Sequence, residues 1–242
     1  LIEHPEQKKS ILTKLLSPDA INKVFQSIEL TEFINLFAEY KEFIGEQLLK
    51  PATLKLLIQE GEKNIPLFSA LAQAFPSKRE HIIATLLLID NFRALVNSPK
   101  AVEQLIEAFP EHKNGIFLLI SNKGTFKALA RTPEAVQSLI NLFPELSKFG
   151  KVIAEQLLDL ELVKILIVQN IQNVIALANI FQDHKEPLAK LILNRNVFHD
   201  LAEDNNDIAT LRKIFPNHAE IIDRRQSEAN KQPSLQNPNS FF

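Results

Sequence analysis

The sequence predicts an all-α fold, a right-handed helical-repeat solenoid of about six three-helix units, each of roughly 34–38 residues, arranged as two duplicated halves of about 106 residues. Three observations predict it. Six phenylalanines, Phe37, Phe75, Phe109, Phe143, Phe181 and Phe215, follow one another in steps of 38, 34, 34, 38 and 34, so the last three repeat the first three at an offset of 106. Apolar residues recur around each of them at helical spacing. Glycine is scarce, five residues against thirteen prolines, which leaves the punctuation to a residue that opens helices more readily than it sits inside strands. A fixed period of this length marks an array of units that cannot bury their apolar faces alone.

Within each unit the helix leading to the anchor phenylalanine, helix B, is the clearest. Seven residues before the anchor stand Leu30, Phe68, Val102, Val136, Val174 and Ile208, and four before it Phe33, Leu71, Leu105, Leu139, Leu177 and Leu211. Leu36, Ala74, Ala108, Leu142, Ile180 and Ile214 directly precede it and complete a stripe that only an α-helix places on one face. Ser98-Pro99 and Thr132-Pro133 mark helix starts, the hydroxyl capping free amides and the proline taking the first helical position. Pro76, Pro110, Pro144 and Pro216 follow the anchor directly and disfavour helical geometry there. Helix C comes next, with Ile44, Ile82, Ile116, Leu188 and Ile222 seven residues past the anchor and the fourth copy displaced to Ile153. A shorter helix A follows, read from Phe92–Leu95, Phe126–Leu129 and Phe198–Leu201, with Leu54–Ile58 and Leu162–Ile167 as looser copies. The duplication recurs in Ile44-Gly-Glu-Gln-Leu-Leu49 against Ile153-Ala-Glu-Gln-Leu-Leu158. The expected organisation is an N-terminal flank at 1–9, an array at 10–225 with halves at 18–123 and 124–225, and a disordered polar tail at 226–242 that ends in Phe241-Phe242.

Composition narrows the function classes. A net charge of −2 offers no excess of cations for a phosphate backbone, which disfavours general nucleic-acid binding. Cysteine is absent, removing disulfides, thiolate metal sites and cysteine nucleophiles. The longest apolar runs fall well below the roughly 18–20 residues of a membrane span, so no transmembrane segment is expected.

Over about residues 10–225 the pattern resembles the superfamily of α-helical solenoids, such as armadillo, HEAT and tetratricopeptide arrays. The tetratricopeptide landmarks are missing and the unit is shorter than an armadillo repeat, so the resemblance is to an architecture and implies a surface that holds another protein. The Ile/Asn/Lys-rich composition, the duplication and the polar C-terminus also look like effectors that intracellular bacteria secrete through type IV systems. That resemblance implies a host protein or a membrane-trafficking component as target.

The candidate binding residues are Lys41, Arg79, Lys113, Lys148 and Lys185, four residues past the anchor and one place off register at Lys148. They fall in the first turn of helix C, where the macrodipole disfavours a cation by about 0.3–1 kcal/mol, so helix stability does not account for them. One reading is a ridge that docks an acidic partner or a phosphate-bearing ligand. The other is a solvated face neutralised by Glu39, Glu111, Glu145 and Asp183, two residues past the anchor. His112, His184 and His218 sit three residues past it, but equivalent positions on neighbouring helices lie about 8–10 Å apart, too far to share one ion. No metal or cofactor is expected. The glycines are isolated, no nucleophile elbow exists, and Glu60 and Glu62 read as part of an exposed loop, so no catalytic residue is assigned. The sequence is thus read as a non-enzymatic protein-binding scaffold, cytoplasmic or secreted into a host cell. A phosphoinositide or nucleic-acid binder using the basic ridge and a cryptic enzyme are the alternatives.

Overall fold

The computed structural model describes residues 5–144, 159–167, 170–201 and 204–231. They form eighteen α-helices, joined in several places by single 3₁₀ turns, with no strand among them. Two compact units emerge, Leu1–Thr125 and Phe126–Phe242.

The first unit opens with α1 (Pro5–Leu15) and α2 (Ile21–Ser27), followed by α3 (Leu30–Leu36), α4 (Lys41–Leu48) and α5 (Pro51–Gln59). It continues through α6 (Ile65–Ala74), α7 (Arg79–Leu86), α8 (Ile89–Leu95), α9 (Pro99–Ala108) and α10 (Lys113–Ile120) into α11 (Lys123–Leu129), which crosses the boundary. Helices α3, α6 and α9 are the expected B helices and pack one on the next, and α5 packs on α8 in the same way. The B helices and the α5/α8 pair therefore pack on the third helix along the chain, whereas α7 packs on its chain neighbours α6 and α8. Packing on the third helix is what a three-helix period requires if each B stripe is to be covered by its successor.

The second unit holds α12 (Pro133–Leu142), α13 (Leu160–Ile167), α14 (Ile171–Ile180), α15 (Lys185–Ile192), α16 (Arg195–Leu201), α17 (Asn205–Ile214) and α18 (Ala219–Lys231). Its B helices α12, α14 and α17 again pack in series, and α13 packs on α16. The displaced helix C around Ile153 lies outside the described residues, as do Glu145, Lys148, Phe241 and Phe242.

Burial follows the columns closely. All twelve residues four and seven before the anchors are buried, as are Ile44, Ile82, Ile116, Leu188 and Ile222 of the C helices. The helix A pairs Phe92/Leu95, Phe126/Leu129 and Phe198/Leu201 are buried too. Two expectations need correction. Residues directly before the anchor lie at the edge of the stripe: Ala74, Ala108, Leu142, Ile180 and Ile214 are half-buried, and Leu36 is 63% exposed. The anchor itself, one full heptad after the first column, takes the third core position. Among the anchors Phe75, Phe109, Phe143 and Phe215 are buried, whereas Phe37 and Phe181 are half-buried.

The anchor also sets the turn. Phe75 (φ −126, ψ 71), Phe109 (φ −138, ψ 63) and Phe143 (φ −130, ψ 76) all leave helical geometry, as expected before proline. Phe37 and Phe181 leave it as well although Ala38 and Gln182 follow them, so the turn belongs to the repeat and not to proline alone. In five copies a 3₁₀ turn follows, in which the anchor carbonyl accepts from the amide three residues on, at 2.9–3.0 Å for Tyr40, Lys78, His112, His184 and His218. Proline therefore opens a 3₁₀ turn, and helix C begins only at the fourth residue past the anchor.

The Ser98 and Thr132 hydroxyls accept from the amides of Ala101 and Ala135, the expected caps. The Gln59–Lys63 stretch, read as an exposed loop, instead folds into a 3₁₀ turn at Gly61–Asn64. There Gly61 is buried with φ 78, a left-handed conformation that favours glycine. At the chain's other end α1 starts inside the expected flank, and α18 runs past Gln226, where the polar tail was expected to begin. Side-chain bonds hold that extension: Arg212 to Asp223 and Gln226, Gln226 to Asn205, and Arg225 to Glu228. Among the described residues no helix is long and apolar enough to cross a membrane.

Candidate functional site

Lys41, Arg79, Lys113 and Lys185 are the first residues of α4, α7, α10 and α15. Their position at a positive helix terminus has an explanation at Arg79, whose guanidinium reaches the opposite pole of a different helix. Its Nη2 donates to the Ala108 carbonyl at 2.9 Å, at the C-terminal end of α9, and its Nε donates to Glu111 Oε1 at 2.6 Å. The guanidinium carbon also lies 4.9 Å from the centre of the Phe109 ring. A cation is favoured at a helix C-terminus and over an aromatic face, so Arg79 is held by the next repeat. The hydrogen bond from Arg79, with one from the residue's own backbone amide, holds the Glu111 carboxyl below the ordinary carboxylate range; the same bond raises Arg79.

Lys8 pairs with Glu39 at 2.8 Å, which lowers the Glu39 carboxyl and raises the lysine. Lys8 is thus an earlier member of the ladder that the anchor alignment missed, since no phenylalanine precedes it at the right distance. The signal available was its place about one repeat before Lys41.

The ladder is not uniform. Lys41 lies with Nζ 5.6 Å from the centre of the Phe75 ring, as Arg79 lies over Phe109. The residue two past that anchor, however, is Ser77 and not a carboxylate, and Lys41 is exposed without an ion pair among the described residues. Lys185 is likewise exposed, and the residue matching Glu111 at the 106 offset is Asn217. Lys113 is half-buried, and Lys148 lies outside the described residues. The four described candidates are therefore not equivalent: Arg79 is committed to an internal contact, whereas Lys41 and Lys185 are exposed.

The histidines have a different partner from the one weighed in the sequence. His112 Nε2 lies 3.4 Å from Glu80, and His218 Nε2 lies 3.2 Å from Glu186. These pairs match at the 106 offset and each joins a 3₁₀ turn to the first turn of the preceding C helix. The relevant spacing is about one repeat between unlike residues, which a search for matching histidines does not find. Glu80, Glu111 and His112 bring one ligand atom each within 4.8 Å of one another. Arg79 already binds Glu111, so the group reads as an ion-pair network.

Clefts lie in both units, one of them at Lys41. That cleft, of about 420 Å³, lies between α4 and the Phe75 turn, with Lys41, Lys78 and His81 on its walls. Another, of about 390 Å³ in the second unit, is lined by Arg195, His199, Arg225 and Glu228 among others, but Arg225 is bonded to Glu228 and to the Leu193 carbonyl. A further cleft, of about 260 Å³, lies between α3 and the start of α6 and is lined by Leu30, Lys63, Pro66 and Leu67. Leu88 and Leu118 are large apolar residues left 60% and 70% exposed.

The fold and these features define an all-helical protein with serially packed helices and charged inter-helix contacts. No protein-family model, curated protein or solved structure matches the chain.

Proposed function

We propose that the chain is a non-enzymatic protein-binding scaffold, a right-handed solenoid of about six three-helix repeats in two duplicated halves. The observation that carries this reading is the serial packing of the B helices in each unit, which sets their equivalent side chains in rows. Repeat arrays use such rows to hold extended or folded partners. Lys41 and Lys185 are the binding residues favoured by their exposure; Arg79 serves the array itself. The alternative of phosphoinositide or nucleic-acid binding through the whole basic ridge loses support from that commitment, because the Arg79 charge is already met by Glu111. Delivery into a host cell as a bacterial effector is part of the proposal on composition alone.

The test is affinity capture by the full chain and by a Lys41→Glu/Lys185→Glu variant at low and moderate salt. A protein retained by the intact chain and lost by the variant supports docking through these lysines. Retention of nucleic acid or anionic lipid, with steep salt dependence and no protein, would overturn the scaffold reading.

A further inference from the structure

We propose that the cleft at Lys41 is an anion niche that takes a carboxylate side chain from an acidic peptide segment of a partner protein. The inference rests on the scaffold reading and gives that reading a defined site. Its starting point is the comparison between neighbouring repeats. In two places the cation of one repeat is met by the carboxylate two residues past the next anchor: Lys8 by Glu39 and Arg79 by Glu111. Between them, Lys41 has the aromatic ring it needs, Phe75, but Ser77 stands where the carboxylate would be. A cleft of about 420 Å³ lies at that place, and Ser77 is on its wall.

The cleft suits a carboxylate carried on a chain. Lys78 and His81 line it beside Lys41, and none of the three has an ion pair among the described residues. Glu42 and Glu46 also line it, so the niche is mixed in charge and has room for one partner carboxylate, placed at Lys41. Gly45, Leu49, Ala74, Phe75 and Pro76 supply apolar wall, which an inorganic anion would not use but the stem and neighbours of an acidic side chain would. Gly45 lets the Phe75 ring lie close against α4: a Cβ there would stand 2.6 Å from Phe75 Cε1. The neighbouring repeat also supplies the design of the control. Ser77→Glu would place in the niche the carboxylate that Glu111 gives Arg79, filling the site from within.

The experiment titrates the full ¹⁵N-labelled chain with an acetylated, amidated tetraglutamate peptide and follows backbone amide shifts, with inorganic phosphate titrated separately. The expected result is saturable shifts at Lys41, Ser77, Lys78 and His81. Lys41→Glu should weaken binding by at least about tenfold, in keeping with the loss of a charge-assisted contact. Ser77→Glu should abolish it while keeping the far-UV spectrum and a melting temperature no lower than that of the parent, and Ser77→Ala should bind as the parent does. Equal binding by Ser77→Glu, or peptide shifts confined to other surfaces, would overturn the niche. Phosphate shifting these amides where tetraglutamate does not would overturn the peptide as its occupant. A captured partner protein retained by Ser77→Glu would sink this site while leaving the scaffold reading intact.

Discussion

Phe109→Ala isolates what one anchor contributes. The ring is fully buried at the C-terminal end of α9. Removing a buried phenylalanine side chain costs about 3–5 kcal/mol in transfer and cavity terms. The ring also lies under the Arg79 guanidinium, 4.9 Å from its centre, and a partly exposed contact of that kind adds about 0.5–1 kcal/mol. Alanine carries a Cβ as phenylalanine does, so it meets the φ −138, ψ 63 backbone with no added clash and the turn itself should persist. The expected loss is therefore about 3.5–6 kcal/mol. Leu36→Ala is the matched control, at a position 63% exposed despite its place in an apolar column, and should change stability by less than about 0.5 kcal/mol. Urea unfolding of both variants followed by circular dichroism at 222 nm gives the comparison. A Phe109→Ala loss as small as that expected of Leu36→Ala, or a Leu36→Ala loss as large as that expected of Phe109→Ala, would refute the assignment of the anchor to the core and of its neighbour to the edge.

The remaining predictions use the same columns and contacts. Leu139→Asp places an unpaired carboxylate at a fully buried site of α12 and should unfold the helices packed against it, α14 included; a soluble variant with unchanged melting temperature would contradict the packing. Thr132→Ala removes the hydroxyl that accepts from Ala135 and should cost about 1 kcal/mol, read as a lower urea midpoint with unchanged slope. Gly45→Ala gains about 1 kcal/mol of helix propensity but drives a Cβ into the buried Phe75 ring, an overpacking cost of about 1–3 kcal/mol, so a net loss of stability is expected and a stabilised variant would contradict it. Glu111 gives the pH sign. Its folded pKa is lowered by Arg79, so its contribution is fully present above the unfolded glutamate value of about 4.3 and is lost as pH falls through the folded value. Glu111→Gln should therefore reduce stability modestly at pH 7, and the gap to the parent should close in acid; a gap that widens below about pH 4 would contradict the pairing.

The columns that fix the fold were legible because helical periodicity reports burial directly. Val136 and Leu139, or Val174 and Leu177, are apolar at the spacing that faces one neighbour, and they are buried. Leu36 was misplaced because a hydrophobic side chain at the edge of a stripe looks the same in sequence as one at its centre. The 3₁₀ turns were hidden behind proline, which opens either kind of helix. Phe37 and Phe181 show that the turn does not need proline. The basic ladder was visible as a column, yet its meaning was not, because charge partners are set by contacts about one repeat apart in the chain, as in Arg79 with Glu111 and His112 with Glu80. Nothing in the column itself says that Arg79 is spent on the end of α9 while Lys41 stands over its ring with Ser77 in place of a carboxylate.

Native-state hydrogen exchange on the full chain and on Phe109→Ala tests the serial packing of repeats most directly. Removing the ring from α9 should lower protection in α9 itself, in α6 on which it packs, and in α7, whose Arg79 loses its aromatic contact, with a smaller effect on α3 one repeat further away. Loss of protection confined to α9, or spread evenly from α1 to α10, would contradict an array in which each repeat is held by its neighbours.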